Sequence, residues 1–264
     1  MPAVNPSRLQ HQIEDVLKYF DNPGTFHRRM VDLFSLYANR TLQFGESTES
    51  RPIAPMYHLP QPLIRQLHMA IKPYLESNPQ TALECADELW KDSYLEVKQF
   101  AIFILGNVAV QEQDHIIARI ESWVSPNLDD RLKYELMSTG MDMLHERFPS
   151  AWEKLIQSLL DHKDPKVVGF GRQGIIDSVK KTKFGNFPLV FRLISPIIQN
   201  PHTAYVEKLE DLINIMANQS PTETAFFLKQ TVSLSKSIET KRLIKRCLPL
   251  LPEKDRNELK SSLS

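Results

Sequence analysis

The clearest spacing in this sequence that could do chemistry is Gly169-Phe170-Gly171-Arg172-Gln173-Gly174, which fits the glycine pattern of a dinucleotide-binding turn. Such a turn needs a strand before it and a helix opening at the glycines. Here Asp164-Pro165 has already started a helix, and only Val167-Val168 is strand-like. The expectation is therefore close helix packing at Gly171 and Gly174, at up to about 1 kcal/mol each relative to Ala. Among eight histidines, Glu112 with His115 and Asp142 with His145 stand at i, i+3. No further ligand pair joins either, so no metal site is expected. There is no GxSxG, no Cys-His pair and no P-loop glycine-lysine motif, so nothing here marks a serine or cysteine nucleophile or a triphosphate cradle.

Basic side chains gather in two places. Lys166, Arg172, Lys180, Lys181 and Lys183 surround one predicted helix, and Lys241, Arg242, Lys245 and Arg246 sit on a later one. If second-position helices line one side of a helical stack, both clusters project towards one groove, where each neutralised phosphate adds salt-dependent affinity without sequence preference. The other reading is that these heads are solvated, or pair with acids such as Asp177 and Glu239.

The elements that must position these residues are helices. Val97, Phe100, Ala101, Ile104, Leu105 and Val108 follow helical spacing, as do Leu132, Leu136, Thr139, Gly140, Met143 and Leu144. Val167, Phe170, Gly171, Gly174, Ile175, Ser178 and Val179 form a third stripe, and the three starts lie 35 residues apart. Later stripes begin near Val206 and Leu243. Partner helices are predicted at 79–91, 113–124, 149–162, 186–199 and 221–235. Asn78-Pro79, Asp164-Pro165, Asn200-Pro201 and Ser220-Pro221 put a capping side chain before a proline suited to the first helical turn, and Ser220 with Glu223 makes a capping box.

No set of alternating, turn-bounded β segments appears, so the predicted fold is all-α. Each helix pair has an apolar face it cannot bury alone, and stacking the pairs makes one core. The expectation is an α-α superhelix, a HEAT-like solenoid forming a single domain over 1–264, with a compact bundle as the competing architecture. Residues 1–60 are less regular: helices are predicted at 7–20 and 26–42, then a loop over 44–59 long enough to be functional or mobile.

Composition sets the outer limits. The 264 residues carry 32 basic and 32 acidic side chains and 42% apolar residues, as a folded chain would. Residues 1–164 hold 16 basic against 23 acidic groups, a balance of −7, whereas 165–264 hold 16 against 9, a balance of +7. A polyanion would be drawn to the second part. The longest apolar run, Phe100 to Leu105, falls far short of the roughly 18 residues of a membrane span, and the first residues lack a signal core. Two isolated cysteines, Cys85 and Cys247, suit a reducing compartment. A soluble, unprocessed, cytoplasmic protein without membrane contact is expected.

The stretch from Leu89-Trp90 through Glu96, Ala101 and Ile104-Leu105 resembles a signature of the DNA alkylation repair family, the AlkD-like HEAT-repeat DNA glycosylases. Upstream, Tyr57-His58-Leu59-Pro60-Gln61-Pro62-Leu63-Ile64-Arg65 resembles the family segment in which a proline opens a helix bearing an arginine. The resemblance extends over about residues 25–250. It implies duplex DNA as partner, held on a basic concave surface, and excision of cationic 3- or 7-alkylated purines without base flipping. An acidic residue would stabilise the developing sugar cation, with aromatic side chains nearby and no metal or organic cofactor.

On that resemblance Asp129 and Asp130 are the candidate stabilisers, Trp123 an aromatic contact, and the two basic clusters the phosphate grips. The sequence departs from the family at both positions that matter most. No aromatic residue stands four before either aspartate, Trp123 lying six before Asp129; and where a Trp with Arg three later is expected, the chain reads Lys166-Val167-Val168-Gly169-Phe170-Gly171-Arg172. The two aspartates also suit a simpler role, negative charge at a helix start. A non-catalytic HEAT scaffold binding a protein on its concave face is the alternative function.

Overall fold

The computed structural model describes residues 6–39, 54–181, 187–201, 206–235 and 237–263. Lys183 and most of the predicted loop over 44–59 lie outside them. Among the described residues every regular element is a helix, so the fold is all-α. The chain divides after Gly174 into two compact units, and the division falls inside a helix.

Unit 1 holds α1 (Pro6–Leu17), α2 (Pro23–Tyr37), α3 (Gln61–Ser77), α4 (Pro79–Trp90), α5 (Leu95–Asn107), α6 (Asp114–Trp123), α7 (Asp130–Ser138), α8 (Asp142–Arg147), α9 (Pro149–Leu160) and the first part of α10 (Pro165–Lys180). Successive helices pack in pairs: α1 on α2 and α3, α2 on α4, α4 on α5, α5 on α7 and α8. α3 shows the local logic, with Pro62 in its first turn and Leu63, Leu67, Ile71 and Leu75 buried one turn apart. α5 differs from the one-sided stripe predicted for it. Val97, Ala101, Ile102, Ile104 and Leu105 are all fully buried, and a helix apolar all round lies at the centre of its unit.

The stripe from Leu132 to Leu144 is two helices rather than one. The amides of Thr139 and Gly140 both donate to the Glu135 carbonyl, at 2.9 and 3.1 Å, and the chain turns before α8. Gly106 on α5 backs directly onto this junction, where a Cβ would overlap the Thr139 carbonyl. The break shifts the register, so that Met137 and Met141 are buried and Met143 is only half-buried.

The glycines of the dinucleotide-like motif lie within α10 and pack as expected. A Cβ on Gly171 would stand 2.9 Å from Leu160 Cδ2, and one on Gly174 2.5 Å from Ile156 Cδ1, both on α9.

Unit 2 holds the end of α10, α11 (Phe187–Gln199), α12 (Val206–Gln219), α13 (Pro221–Leu234), α14 (Ile238–Cys247) and α15 (Glu253–Ser262). Here α13 packs on α11, α12 and α15, and α12 on α14. The proline starts are observed for α4, α10 and α13, whereas Pro201 is not helical and α12 begins at Val206. The Ser220 capping box is not formed: the hydroxyl donates to the Glu223 carboxylate, 2.7 Å, and accepts no backbone amide. Cys85 and Cys247 are buried thiols, each pushed up to about 12 by burial.

Candidate functional site

The head of α7 is built by Asp129. Its backbone is extended, which makes it the N-cap, and its carboxylate accepts the Arg131 amide at 2.9 Å. The Arg131 guanidinium closes a fork on the same carboxylate, Nε at 3.0 Å and Nη2 at 2.8 Å. That fork, aided by the Arg131 and Ala54 amides and opposed by partial burial, holds the Asp129 carboxyl below the usual carboxylate range. Arg131 also reaches Met56 Sδ, 2.7 Å, joining the head of α7 to the segment before α3.

That segment is pinned from α5 as well. Both oxygens of buried Glu96 accept backbone amides, from His58 at 2.7 Å and Tyr57 at 3.0 Å. His58 is held there with φ 53, a region that costs a residue with a Cβ. The Glu96 of the signature is thus a clamp on the chain entering α3.

The other two candidates of this site differ in exposure. Asp130, the first residue of α7, is exposed. Trp123, the last residue of α6, is 4% exposed and stacks on Trp90 with centroids 4.4 Å apart and rings 11° from parallel. The Lys98 ammonium lies 4.4 Å over the Trp90 ring and donates to the Trp90 carbonyl, and burial lowers its pKa. The geometry gives Trp123 a packing partner rather than an outward face beside the aspartates. The aromatic ring that does accompany them is Tyr134, half-exposed and one helical turn beyond Asp130 on α7. The sequence carried a signal for it: Tyr134 stands off the Leu132–Leu136 stripe and four residues after an acid.

Lys166, Arg172 and Lys180 of the first basic cluster belong to α10. Exposed Lys166 in unit 1 turns its Nζ to Asn127 Oδ1, 3.4 Å away, in the loop before α7. Arg172 is half-buried on α10. Lys133, which sequence reasoning passed over, extends from α7 to place its ammonium 4.9 Å from the Phe170 ring centre. In unit 2 Lys180 is exposed and Lys181 half-buried.

The second cluster is gathered on α14, where Arg242, Lys245 and Arg246 with Val206, Glu239 and Leu243 line a hollow of about 380 Å³. Arg246 pairs with Glu210 of α12 at 2.9 Å, an acid that spacing along the sequence does not single out. Lys241 lies half-buried on the same helix.

A helical-repeat fold with carboxylates at one helix start and basic clusters on later helices is the class these observations define. A family model described as "DNA alkylation repair enzyme" matches residues 52–202, more than half of the chain and narrower than the span expected from the sequence. The chain belongs to the DNA alkylation repair enzyme family, and membership assigns it to DNA alkylation repair. No curated protein and no solved structure matches it. No helix among the described residues is long and apolar enough to cross a membrane.

Proposed function

We propose that the protein binds duplex DNA through the basic side chains of α10 and α14 and excises cationic alkylated purines at the head of α7, its helix pairs stacking in the HEAT manner. The observation that carries this reading is a pair of adjacent carboxylates at the start of one helix, inside the matched segment, with one of them kept ionised.

A cationic purine is already a good leaving group, so the protein need only stabilise positive charge growing on the deoxyribose. Asp129 has its charge balanced by the Arg131 fork and sets the backbone of the helix start. Asp130 is the more exposed carboxylate of the pair, and Tyr134 offers a ring face to a cation. This electrostatic route uses no metal or organic cofactor. The test is release of 7-methylguanine from methylated duplex DNA by wild type and Asp130→Asn, with plain duplex affinity at low salt measured alongside. Absence of duplex binding refutes the reading entirely; binding without release refutes the excision step.

The second reading, a non-catalytic scaffold for a protein partner, is favoured by Trp123 being committed to the core and by Phe226, Leu234 and Ile238 of unit 2 being 61%, 71% and 63% exposed. Pull-down of a protein together with failure to bind DNA supports it.

A further inference from the structure

Unit 1 has, between α2, α3, α5 and α7, a partly open cavity of about 220 Å³ that the excision chemistry does not use. One wall is aromatic. His68 of α3 stacks on Phe103 with centroids 3.6 Å apart and rings 3° from parallel, and lies 17° from parallel with Phe100 at 5.7 Å. Ile64 and Leu67 add aliphatic surface.

The polar lining has one sign. It contains the carboxylates of Glu96 and Glu135 and the amides of Gln61 and Gln99, and no lysine or arginine among the described lining residues. Glu96 is occupied by two backbone amides. Glu135 accepts Gln99 Nε2 at 2.7 Å on one oxygen, and a carboxylate has acceptor capacity for more. Burial pushes the Glu135 carboxyl above its usual range and, with the Lys72 ammonium as a lesser cause, takes His68 down to about 4, so the imidazole brings no positive charge at neutral pH.

A carboxylate facing an aromatic wall, with a neutral amide as its side-chain partner among the described residues, is an environment that a cation completes. The volume lies below the roughly 300 Å³ at which pockets for drug-sized molecules begin, and the near-parallel rings offer a flat surface. We propose that this cavity binds a planar, positively charged nitrogen heterocycle of nucleobase size, its face against Phe100 and His68 and its N–H edge on Glu135 and Gln99. The inference goes beyond the excision reading and requires neither the head of α7 nor the basic clusters.

The experiment is calorimetric titration of the full chain at neutral pH with 1-methyladenosine, a cation there, against adenosine and tetramethylammonium. The expected result is binding of 1-methyladenosine about tenfold tighter than either comparison ligand, reduced about tenfold by Glu135→Gln. Ile64→Phe, which fills the cavity, should remove binding while leaving the helical circular dichroism intact. A single-stranded oligonucleotide bearing the same base identifies the source: tighter binding than the nucleoside points to nucleic acid, equal binding to the free nucleoside. The proposal is overturned if the folded protein ignores 1-methyladenosine, if adenosine or tetramethylammonium binds as well, or if neither substitution changes the affinity. Plain duplex affinity of Glu135→Gln, expected to equal wild type, separates failure here from failure of the excision reading.

Discussion

Asp129 and Asp130 are neighbours in sequence with different tasks. Asp129 caps α7 and carries the Arg131 fork, so Asp129→Ala should cost about 1 kcal/mol of stability, read as a lower urea midpoint. Asp130 is not the cap, and Asp130→Asn, which keeps the size of the side chain, should lower the midpoint by less than Asp129→Ala does. His68 gives a pH signature of opposite origin from an ion pair. Its folded pKa is about 4 against an ordinary 6.5, so between these values the unfolded chain takes up the proton first. Stability from His68 is therefore present above pH 6.5 and is lost as pH falls towards 4. Glu135, with its folded pKa raised, works the other way in the window above 4.5, gaining stability as it protonates. Urea unfolding across this range should show His68→Gln with less acid destabilisation than wild type, and Glu135→Gln with more.

At the scale of elements, close approach decides more than propensity does. The α5 helix can back onto the α7–α8 junction only because Gly106 has no side chain, and Gly106→Ala should destabilise by about 1–3 kcal/mol in equilibrium unfolding. Helical spacing made the stripes on α5, α7 and α10 legible in the sequence, and proline marked the starts of α4, α10 and α13. The break at Gly140 was not legible, because Thr139 and Gly140 continue the helical stripe, and the backbone approach of Gly106 there comes from a helix far away in sequence. Nor was the burial of Trp123, since its spacing relative to Asp129 says nothing about Trp90. Glu96 was visible as a signature position, but its role as a clamp on Tyr57 and His58 depends on a loop whose path the sequence does not encode locally. On α14 the pairing of Arg246 with Glu210 separates it from its neighbours. If that helix grips phosphates, Arg242→Ala with Lys245→Ala should lower the slope of log affinity against log salt by about 0.9 for each phosphate no longer neutralised, and Arg246→Ala by less.

For the molecule as a whole, zero net charge conceals a division: the first 164 residues have a balance of −7 and the remainder +7. Long-range attraction of a polyanion therefore rests on the later helices, while the carboxylates proposed for chemistry stand in the acidic part, where a cationic lesion is favoured. Family membership supports repair of alkylated DNA, and the proposed division of labour supplies a way to do it. The most direct measurement is the amount of 7-methylguanine released from methylated duplex DNA by wild type and by Asp130→Asn under single-turnover conditions. The account predicts release by wild type and a rate lower by about a hundredfold in the variant at unchanged duplex affinity. No release by a wild-type protein that binds the duplex, or equal rates for the two, would contradict it.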